Sequence, residues 1–169
     1  MTTTRSAKQW LPEYWRALIG WCAERGLSVG MIGSKPQVER ERYHAGGWEE
    51  DLRGETALPE LAGTFAAARA AVAVDAGPMH IAVAVGCPTV CLFGNDADGD
   101  GASPINLWAP RAPNAIVLRT PAKCRVCVEN RFKNEACLVE GHPCMRELLP
   151  TQAIAALERA LTLPRAAAR

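Results

Sequence analysis

The sequence lacks the features that would place a chain in or across a membrane. None of its apolar runs reaches the roughly 18 residues that a spanning helix needs. The opening residues, MTTTRSAKQW, are polar and contain no apolar core of the kind found in signal peptides. We therefore expect a protein of the cytoplasm, with no membrane span.

An excess of charge of one sign is also missing. The 19 lysines and arginines face 18 aspartates and glutamates, which leaves a formal net charge of +1. A nearly neutral chain has no broad basic surface with which to hold nucleic acid. Its 169 residues suit one domain with a sizeable core, so we expect the function to depend on a local site.

What the sequence does contain is an alternation of amphipathic helices and short apolar strands. Helical spacing of apolar residues marks PEYWRALIGWCAERG, LPELAGTFAAARA, GPMHIAVAVG and LLPTQAIAALERALTL. The second of these helices is expected to turn Leu58, Leu61, Ala62 and Phe65 inward. The segments LSVGMIG, AVAVD, TVCLFG and NAIVLRT have the composition of buried strands, and residues 34–54 are expected to form a polar loop with a short helix in QVERERYHAGG. This order predicts an α/β fold with a mainly parallel sheet.

The crossing between two of these strands, DAGPMH, is the most informative stretch of the chain. Asp75 follows a strand, and ligands of open α/β sheets collect beyond the carboxyl ends of the strands. Gly77 permits close approach to the backbone, while Pro78 suits the first turn of a helix. Free amides at the start of that helix favour an anion such as phosphate, whereas a carboxylate favours hydroxyl groups. The pattern therefore indicates a ligand with both phosphate and sugar hydroxyls.

A purely structural interpretation of the same stretch stays open. Asp75 is also a suitable cap for the helix that follows it. His80, on the first turn, is equally compatible with packing against the sheet. Asp75 and His80 are therefore candidates, not established members, of a catalytic site.

The crossing resembles a segment of glycosyltransferase family 9, the ADP-heptose:lipopolysaccharide heptosyltransferases. VAVDAGPMHIAVAVGCPTVCLFG is similar to the family pattern D-[ST]-G-x-x-H-x-A-A-x-G-x-P-x-[VT]-x-L-[FY]-G. Upstream, TTRSAKQWLPEYWRALI, MIGSKPQVERER and ETALPELAGTFAAARAAVAVD resemble three further family segments in the same order. The resemblance covers most of residues 3–94.

This resemblance implies half of a GT-B enzyme, whose two Rossmann-like domains bind donor and acceptor separately. The chain would be a single Rossmann-like domain over residues 1–169, with helices on both faces of its sheet, that binds the nucleotide sugar. It would lack the first strand of that domain and so be incomplete at its N-terminus. The acceptor domain, which carries the general base proposed for the family, would come from another chain or be absent, and activity of this chain alone would be in doubt.

The resemblance also implies roles for individual residues. Thr4 and Lys8 would contact the diphosphate, and Glu39 would bind the ribose, with Glu41 as its rival because the loop is longer here. The nucleotide-sugar site would thus comprise Thr4, Lys8, Glu39, Asp75, Ala76 and Gly77. Ala76 replaces the usual serine or threonine, and the loss of that hydroxyl contact would weaken binding by about 1 kcal/mol.

Four of the seven cysteines lie close together near the C-terminus, within a cysteine-rich loop at residues 124–144. They are Cys124, Cys127, Cys137 and Cys144. Two thiolates separated by two residues can chelate one ion, and two more complete a tetrahedron, with His142 as a substitute ligand. Reduced structural thiols and disulfides are the alternatives. A branch of family 9, the autotransporter heptosyltransferases, carries a similar iron-binding finger, so the expected cofactor is structural zinc or iron, and no organic cofactor is expected.

Three functions follow from these observations. The leading hypothesis is a heptosyltransferase that takes an ADP-sugar, ADP-heptose above all, and serves a lipopolysaccharide or protein acceptor. The second is a noncatalytic remnant or partner-binding module with a structural metal finger. The third is a sugar-nucleotide epimerase of similar form, which neither the KQWLP stretch nor the clustered cysteines support.

Overall fold

The computed structural model of the chain describes residues 6–34, 49–94, 105–120, 122, 124–129 and 136–165. A 3₁₀ turn, Ser6–Lys8, precedes the first helix. The helices are α1 Pro12–Glu24, α2 Leu58–Ala67, α3 Gly77–Ala84, α4 Ile105–Trp108, α5 Val126–Glu129, α6 Pro143–Arg146 and α7 Pro150–Thr162. The strands are β1 Val29–Met31, β2 Glu49–Asp51, β3 Ala71–Val74, β4 Thr89–Phe93 and β5 Ala115–Arg119.

All the strand pairs in this part of the chain are parallel, and they form two separate sheets. In the first, β1 pairs with β2, with Gly30 opposite Glu50. In the second, β4 lies between β3 and β5, with Cys91 opposite both Ala73 and Val117. Every residue of β4 is buried, as expected for a central strand of a parallel sheet covered on both faces.

Helices cover both faces of the three-stranded sheet. Because successive strand residues point to opposite faces, Val72 and Val74 of β3 pack with α1 and α7, whereas Ala73 packs toward α3 and α4. Ala71 lies against the cluster of α2 and α3 that contains Leu61 and Phe65. The predicted α/β architecture with a parallel sheet is therefore confirmed.

Helix starts are encoded by proline and by side chains that reach back to the backbone. Proline occupies the first turn of α1, α2, α3, α6 and α7, where its missing N–H is not needed. In α2 the Glu60 carboxylate accepts a hydrogen bond from the Ala57 N–H at 2.8 Å, and in α7 Gln152 does the same for Leu149 at 2.8 Å. These contacts satisfy donors that the helix itself leaves free.

Two expectations about the elements were wrong. Leu58 does not face inward, because it stands at the first position of α2 and is 71% exposed, while Leu61 and Phe65 are buried as expected. Residues 49–51, expected within a polar loop, form strand β2 through pairing with β1, a tertiary contact that overrides the low strand propensity of acidic residues. The short helix expected in QVERERYHAGG lies outside the described residues.

No helix within the described ranges is both long and apolar enough to cross a membrane.

Candidate functional site

The carboxyl edge of β3 holds the aspartate singled out from the sequence. Strand β3 ends at Val74, and Asp75 follows with a residue exposure of only 5%. Extended backbone at Ala76 then leads into α3, whose first turn contains Gly77 and Pro78. Beneath the aspartate, burial and then the Asp75 charge raise the pKa of Cys91 to about 12, so that thiol stays neutral. Cys91 therefore adds no charge beside this carboxylate at the sheet's edge.

Lys8 meets this carboxylate from the beginning of the chain. Its Nζ atom donates to Asp75 Oδ2 at 2.5 Å, across 67 positions of sequence. Both side chains are largely covered, with exposures of 16% for Lys8 and 6% for Asp75. A charged hydrogen bond in such a partly dry setting is stronger than one at an open surface. The structure therefore brings together two of the residues that the sequence predicted for the diphosphate and sugar.

His80 is the third polar group at this edge. Its Nε2 atom lies 3.8 Å from Asp75 Oδ1. Lys8 contacts the other carboxylate oxygen, Oδ2. The imidazole is 43% exposed, so it is accessible to a ligand. Apart from the adjoining backbone, no atom of the described residues lies within 4 Å of the position that a Cβ on Gly77 would take, so these residues leave the space beside the start of α3 open.

The arrangement combines the two chemistries expected of a nucleotide-sugar site. Lys8 has two further ammonium hydrogens to offer, and the start of α3 adds its backbone dipole, both of which attract an anion. Asp75 can accept hydrogen bonds from sugar hydroxyls. The candidate site is therefore Lys8, Asp75, Ala76, Gly77 and His80. Thr4, Glu39 and Glu41 lie outside the described residues, and their roles stay predictions.

A segment that sequence reasoning did not connect with this site braces the Lys8 turn. The Nε2 atom of His142 lies 2.8 Å from the carbonyl oxygen of Ala7, the residue next to Lys8. Because a carbonyl only accepts, the imidazole must carry its proton on Nε2. Trp10 Nε1 donates to the carbonyl of Leu148 at 2.7 Å, and the Tyr14 hydroxyl to that of Arg146 at 3.0 Å. Residues 142–148 thus hold the turn that carries Lys8.

The four clustered cysteines lie near the same brace. Burial, followed by the charges of the other three cysteines, raises the pKa of Cys144 to about 12, and burial also raises the pKa of Cys137. Cys144 belongs to the core beneath α1 and α7, and its sulfur lies 3.2 Å from the position of a Cβ on Gly94. The Cys137 thiol donates to the carbonyl of Val139 at 3.4 Å.

The metal expected at this cluster is not supported by the geometry. Within the described ranges, which include all four cysteines and His142, no three His, Cys, Asp or Glu side chains are placed to hold a metal ion. Cys137 donates to a backbone carbonyl, and Cys144 packs into the core. His142, considered as a substitute ligand, is bonded to Ala7 instead. The cysteine-rich loop is not confirmed as a finger.

Fold and site together define a parallel α/β domain whose ionic residues meet at the carboxyl edge of its sheet. The sequence profile of glycosyltransferase family 9 (heptosyltransferase) matches residues 1–137. The chain belongs to this family.

Its relatives among characterised proteins carry the same family name. Lipopolysaccharide heptosyltransferase 1 of Pseudomonas aeruginosa is 42% identical over 97 residues, which are 54% of this chain and 26% of that protein. The Escherichia coli K12 protein of the same name is 32% identical over 121 residues, which are 70% of this chain and 36% of that protein. The matches therefore span about a quarter to a third of these relatives.

Solved structures show the same fold. The Escherichia coli heptosyltransferase WaaC with ADP superposes with a TM-score of 0.69 at 25% identity, covering 94% of this chain and 42% of that one. A glycosyl transferase of family 9 from Veillonella parvula gives a TM-score of 0.73 at 20% identity, over 95% of this chain and 44% of its own. This chain spans less than half of either structure.

Proposed function

We propose that this chain is the donor-binding half of a heptosyltransferase, and that it binds an ADP-sugar at the carboxyl edge of β3. The observation that carries the proposal is the Lys8–Asp75 contact, 2.5 Å long, beside the open start of α3. Family membership and a similar solved structure described as containing ADP support the same ligand. The donor sugar we propose is ADP-heptose.

The roles of the site residues follow from their charges. Lys8 and the amides of Ala76 and Gly77 would hold the diphosphate, whose charge grows as the glycosidic bond breaks. Asp75 would accept hydrogen bonds from the sugar, and Thr4 and Glu39 would contact diphosphate and ribose. His80 lies 3.8 Å from Asp75, and its side chain is 43% exposed.

The acceptor side of the reaction needs residues beyond the donor site. The chain spans 26% and 36% of the two curated relatives above. We propose that transfer to a lipopolysaccharide or protein acceptor requires an acceptor-binding domain in addition to this donor-binding one. The second candidate, a noncatalytic partner-binding module, would bind ADP equally well without supporting transfer. A cytoplasmic location stays a prediction.

Calorimetric titration with ADP and ADP-heptose tests the donor site. Lys8→Met keeps the side-chain length without the charge, and we expect at least a tenfold loss of ADP affinity, about 1.4 kcal/mol. Arg16→Met removes an exposed cation from α1 and should change nothing. Unchanged affinity in both Lys8→Met and Asp75→Asn would remove the proposed site.

A structural zinc or iron at the four cysteines is a separate proposal. It rests on the sequence spacing of Cys124, Cys127, Cys137 and Cys144, and four thiolates would leave no position open for substrate. Freshly purified protein, never exposed to a chelator, should contain about one metal ion per chain. Metal-free protein in which all four thiols react would reject it.

A further inference from the structure

Lys8 lies between two anchors that both come from one distant segment of the chain. On its N-terminal side, the carbonyl oxygen of Ala7 lies 2.8 Å from Nε2 of His142. On its C-terminal side, Trp10 Nε1 donates to the carbonyl oxygen of Leu148 at 2.7 Å. Ala7 and Trp10 are each only 1% exposed, so both anchored residues lie in the interior. The backbone that carries the lysine is therefore fixed on both sides.

The contact of His142 reaches the peptide group of Lys8 itself. The Ala7 carbonyl and the Lys8 N–H belong to one planar peptide group. A hydrogen bond to that carbonyl therefore restricts rotation of the plane from which the lysine side chain starts. Because the lysine stem is long and flexible, a fixed starting point reduces the number of ammonium positions that compete with the one on Asp75, 2.5 Å from Oδ2.

The brace segment, residues 142–148, is itself packed against the end of the sheet. Cys144 and Met145 are buried, and their sulfur atoms lie 3.2 Å and 2.8 Å from the position that a Cβ on Gly94 would take. This glycine directly follows β4, and β4 pairs with β3, whose end carries Asp75. The brace segment therefore fixes the lysine turn relative to the sheet edge that holds the aspartate.

His142 makes its contact from an unfavourable backbone conformation. Its φ is 49°, in the left-handed region, and it follows Gly141 at φ 75°. Residues other than glycine are uncommon in this region, and those that persist are held there by the surrounding structure. The hydrogen bond to Ala7, across 135 positions of sequence, supplies such a constraint. A strained histidine that reaches the peptide of a ligand-binding lysine points to a role for its side chain in binding.

We propose that His142 is a positioning residue of the donor site, which fixes the Lys8 turn so that the ammonium group meets the diphosphate of the nucleotide sugar. The inference rests on the proposed function, since Lys8 is the group through which His142 acts. In this role the imidazole need not touch the ligand. Its hydrogen bond removes conformational freedom that binding would otherwise have to remove. Loss of the bond therefore weakens ADP binding only as far as Lys8 contributes to it.

Calorimetric titration of the whole chain with ADP tests this role through two amide substitutions. His142→Gln places an amide N–H at about the reach of Nε2, whereas His142→Asn is too short for the Ala7 carbonyl and tolerates the left-handed conformation. We expect His142→Asn to bind ADP about fivefold more weakly, which is the value of one hydrogen bond. His142→Gln should stay within about twofold of the parent chain. Each variant is titrated at a temperature at which circular dichroism shows it folded.

A double-mutant cycle shows whether the effect passes through Lys8. In a Lys8→Met chain, His142→Asn should change ADP affinity by less than about twofold, because the group that it positions is gone. The matched control is Arg165→Met. It removes hydrogen bonds to carbonyls at the end of α2, including one of 2.9 Å to Ala68, near the amino end of β3 and away from the donor site. This control should lose stability and keep the ADP affinity of the parent chain.

Four results would overturn the positioning role. They are parent-like affinity in His142→Asn, an equal loss in His142→Gln, an equal loss in Arg165→Met, and an undiminished effect of His142→Asn in the Lys8→Met chain. In each case weaker ADP binding by Lys8→Met alone would leave the donor site standing. Unchanged affinity in Lys8→Met would instead reject Lys8 as a donor-site residue, and the positioning role with it.

Discussion

His142 is the residue on which the position of the Lys8 turn depends. It adopts a left-handed conformation with φ 49°, unusual for any residue but glycine, while its Nε2 atom contacts the Ala7 carbonyl. A non-glycine residue in this conformation costs about 1–2 kcal/mol, and one hydrogen bond returns about 1 kcal/mol. The contact therefore offsets much of the strain at the residue that makes it.

Substitution of His142 should separate the cost of its backbone strain from the gain of its hydrogen bond. His142→Ala keeps the backbone strain and loses the hydrogen bond, so we expect unfolding free energy to fall by about 1 kcal/mol. His142→Gly loses the bond but relieves the strain, and should stay within about 0.5 kcal/mol of the parent chain. Urea denaturation of the two variants measures this. A glycine variant less stable than the alanine variant would contradict the role of strain.

The same histidine predicts a dependence of stability on pH. Burial, more than any other cause, lowers the pKa of His142 from its ordinary value of 6.5. The unfolded chain therefore binds a proton more readily than the folded chain, and stability is lost as pH falls below about 6.5 toward the lowered value. Denaturation curves between pH 7.5 and 5 should show this loss, and the His142→Gln chain should show less of it. If the unfolding free energy changed equally with pH in the parent and His142→Gln chains, His142 would not be the source of the dependence.

At the scale of elements, the end of β4 is packed directly against α6. A Cβ on Gly94 would lie 2.8 Å from Met145 Sδ and 3.2 Å from Cys144 Sγ, and both of these side chains are buried. The glycine is therefore required for close approach of the strand's end to the cysteine segment.

Gly94→Ala should destabilise the chain by about 1–3 kcal/mol, because a buried core has no room for an added methyl group. The matched control is Gly63→Ala in α2, where the described residues outside the helix backbone leave at least 4 Å around the added Cβ; it should stabilise by about 0.5–1 kcal/mol. Thermal unfolding of both variants measures the contrast. Equal shifts in the same direction would show that α6 does not pack against Gly94.

For the molecule as a whole, stability should be distributed unevenly between the two sheets. Strand β4 is buried along its length and paired on both sides, whereas Gly30 in β1 is exposed and borders a cavity of about 530 Å³ between the two sheets. Segments with few buried contacts open at lower free energy than the core.

Native-state hydrogen exchange should therefore show at least tenfold stronger protection for Val90 and Cys91 in β4 than for Met31 in β1. The β1–β2 pair opens first because it lacks a neighbour on its inner side among the described strands. Similar protection in both sheets would mean that the cavity does not divide the domain into two cooperative units.

Much of the fold followed from local patterns. The positions Trp15, Leu18, Ile19 and Cys22 repeat at helical spacing, and all four are buried in α1. The turn at Gly77 and Pro78 starts a helix where predicted. In contrast, the sequence did not predict β2, because its acidic residues form a strand only by pairing with β1. Leu58 was wrongly expected to be buried, because helical periodicity does not show which end of a helix extends beyond the core.

The sequence by itself determined most of the order of helices and strands and the candidates Asp75 and His80, because these depend on near-neighbour stereochemistry and on residue chemistry, whereas Lys8 became a candidate only through the resemblance to family 9. Only the tertiary structure decided that Lys8 reaches Asp75 across 67 positions, that His142 reaches Ala7 across 135, and that a cavity parts the two sheets. Contacts between distant segments depend on how whole elements pack, and no local pattern records that packing.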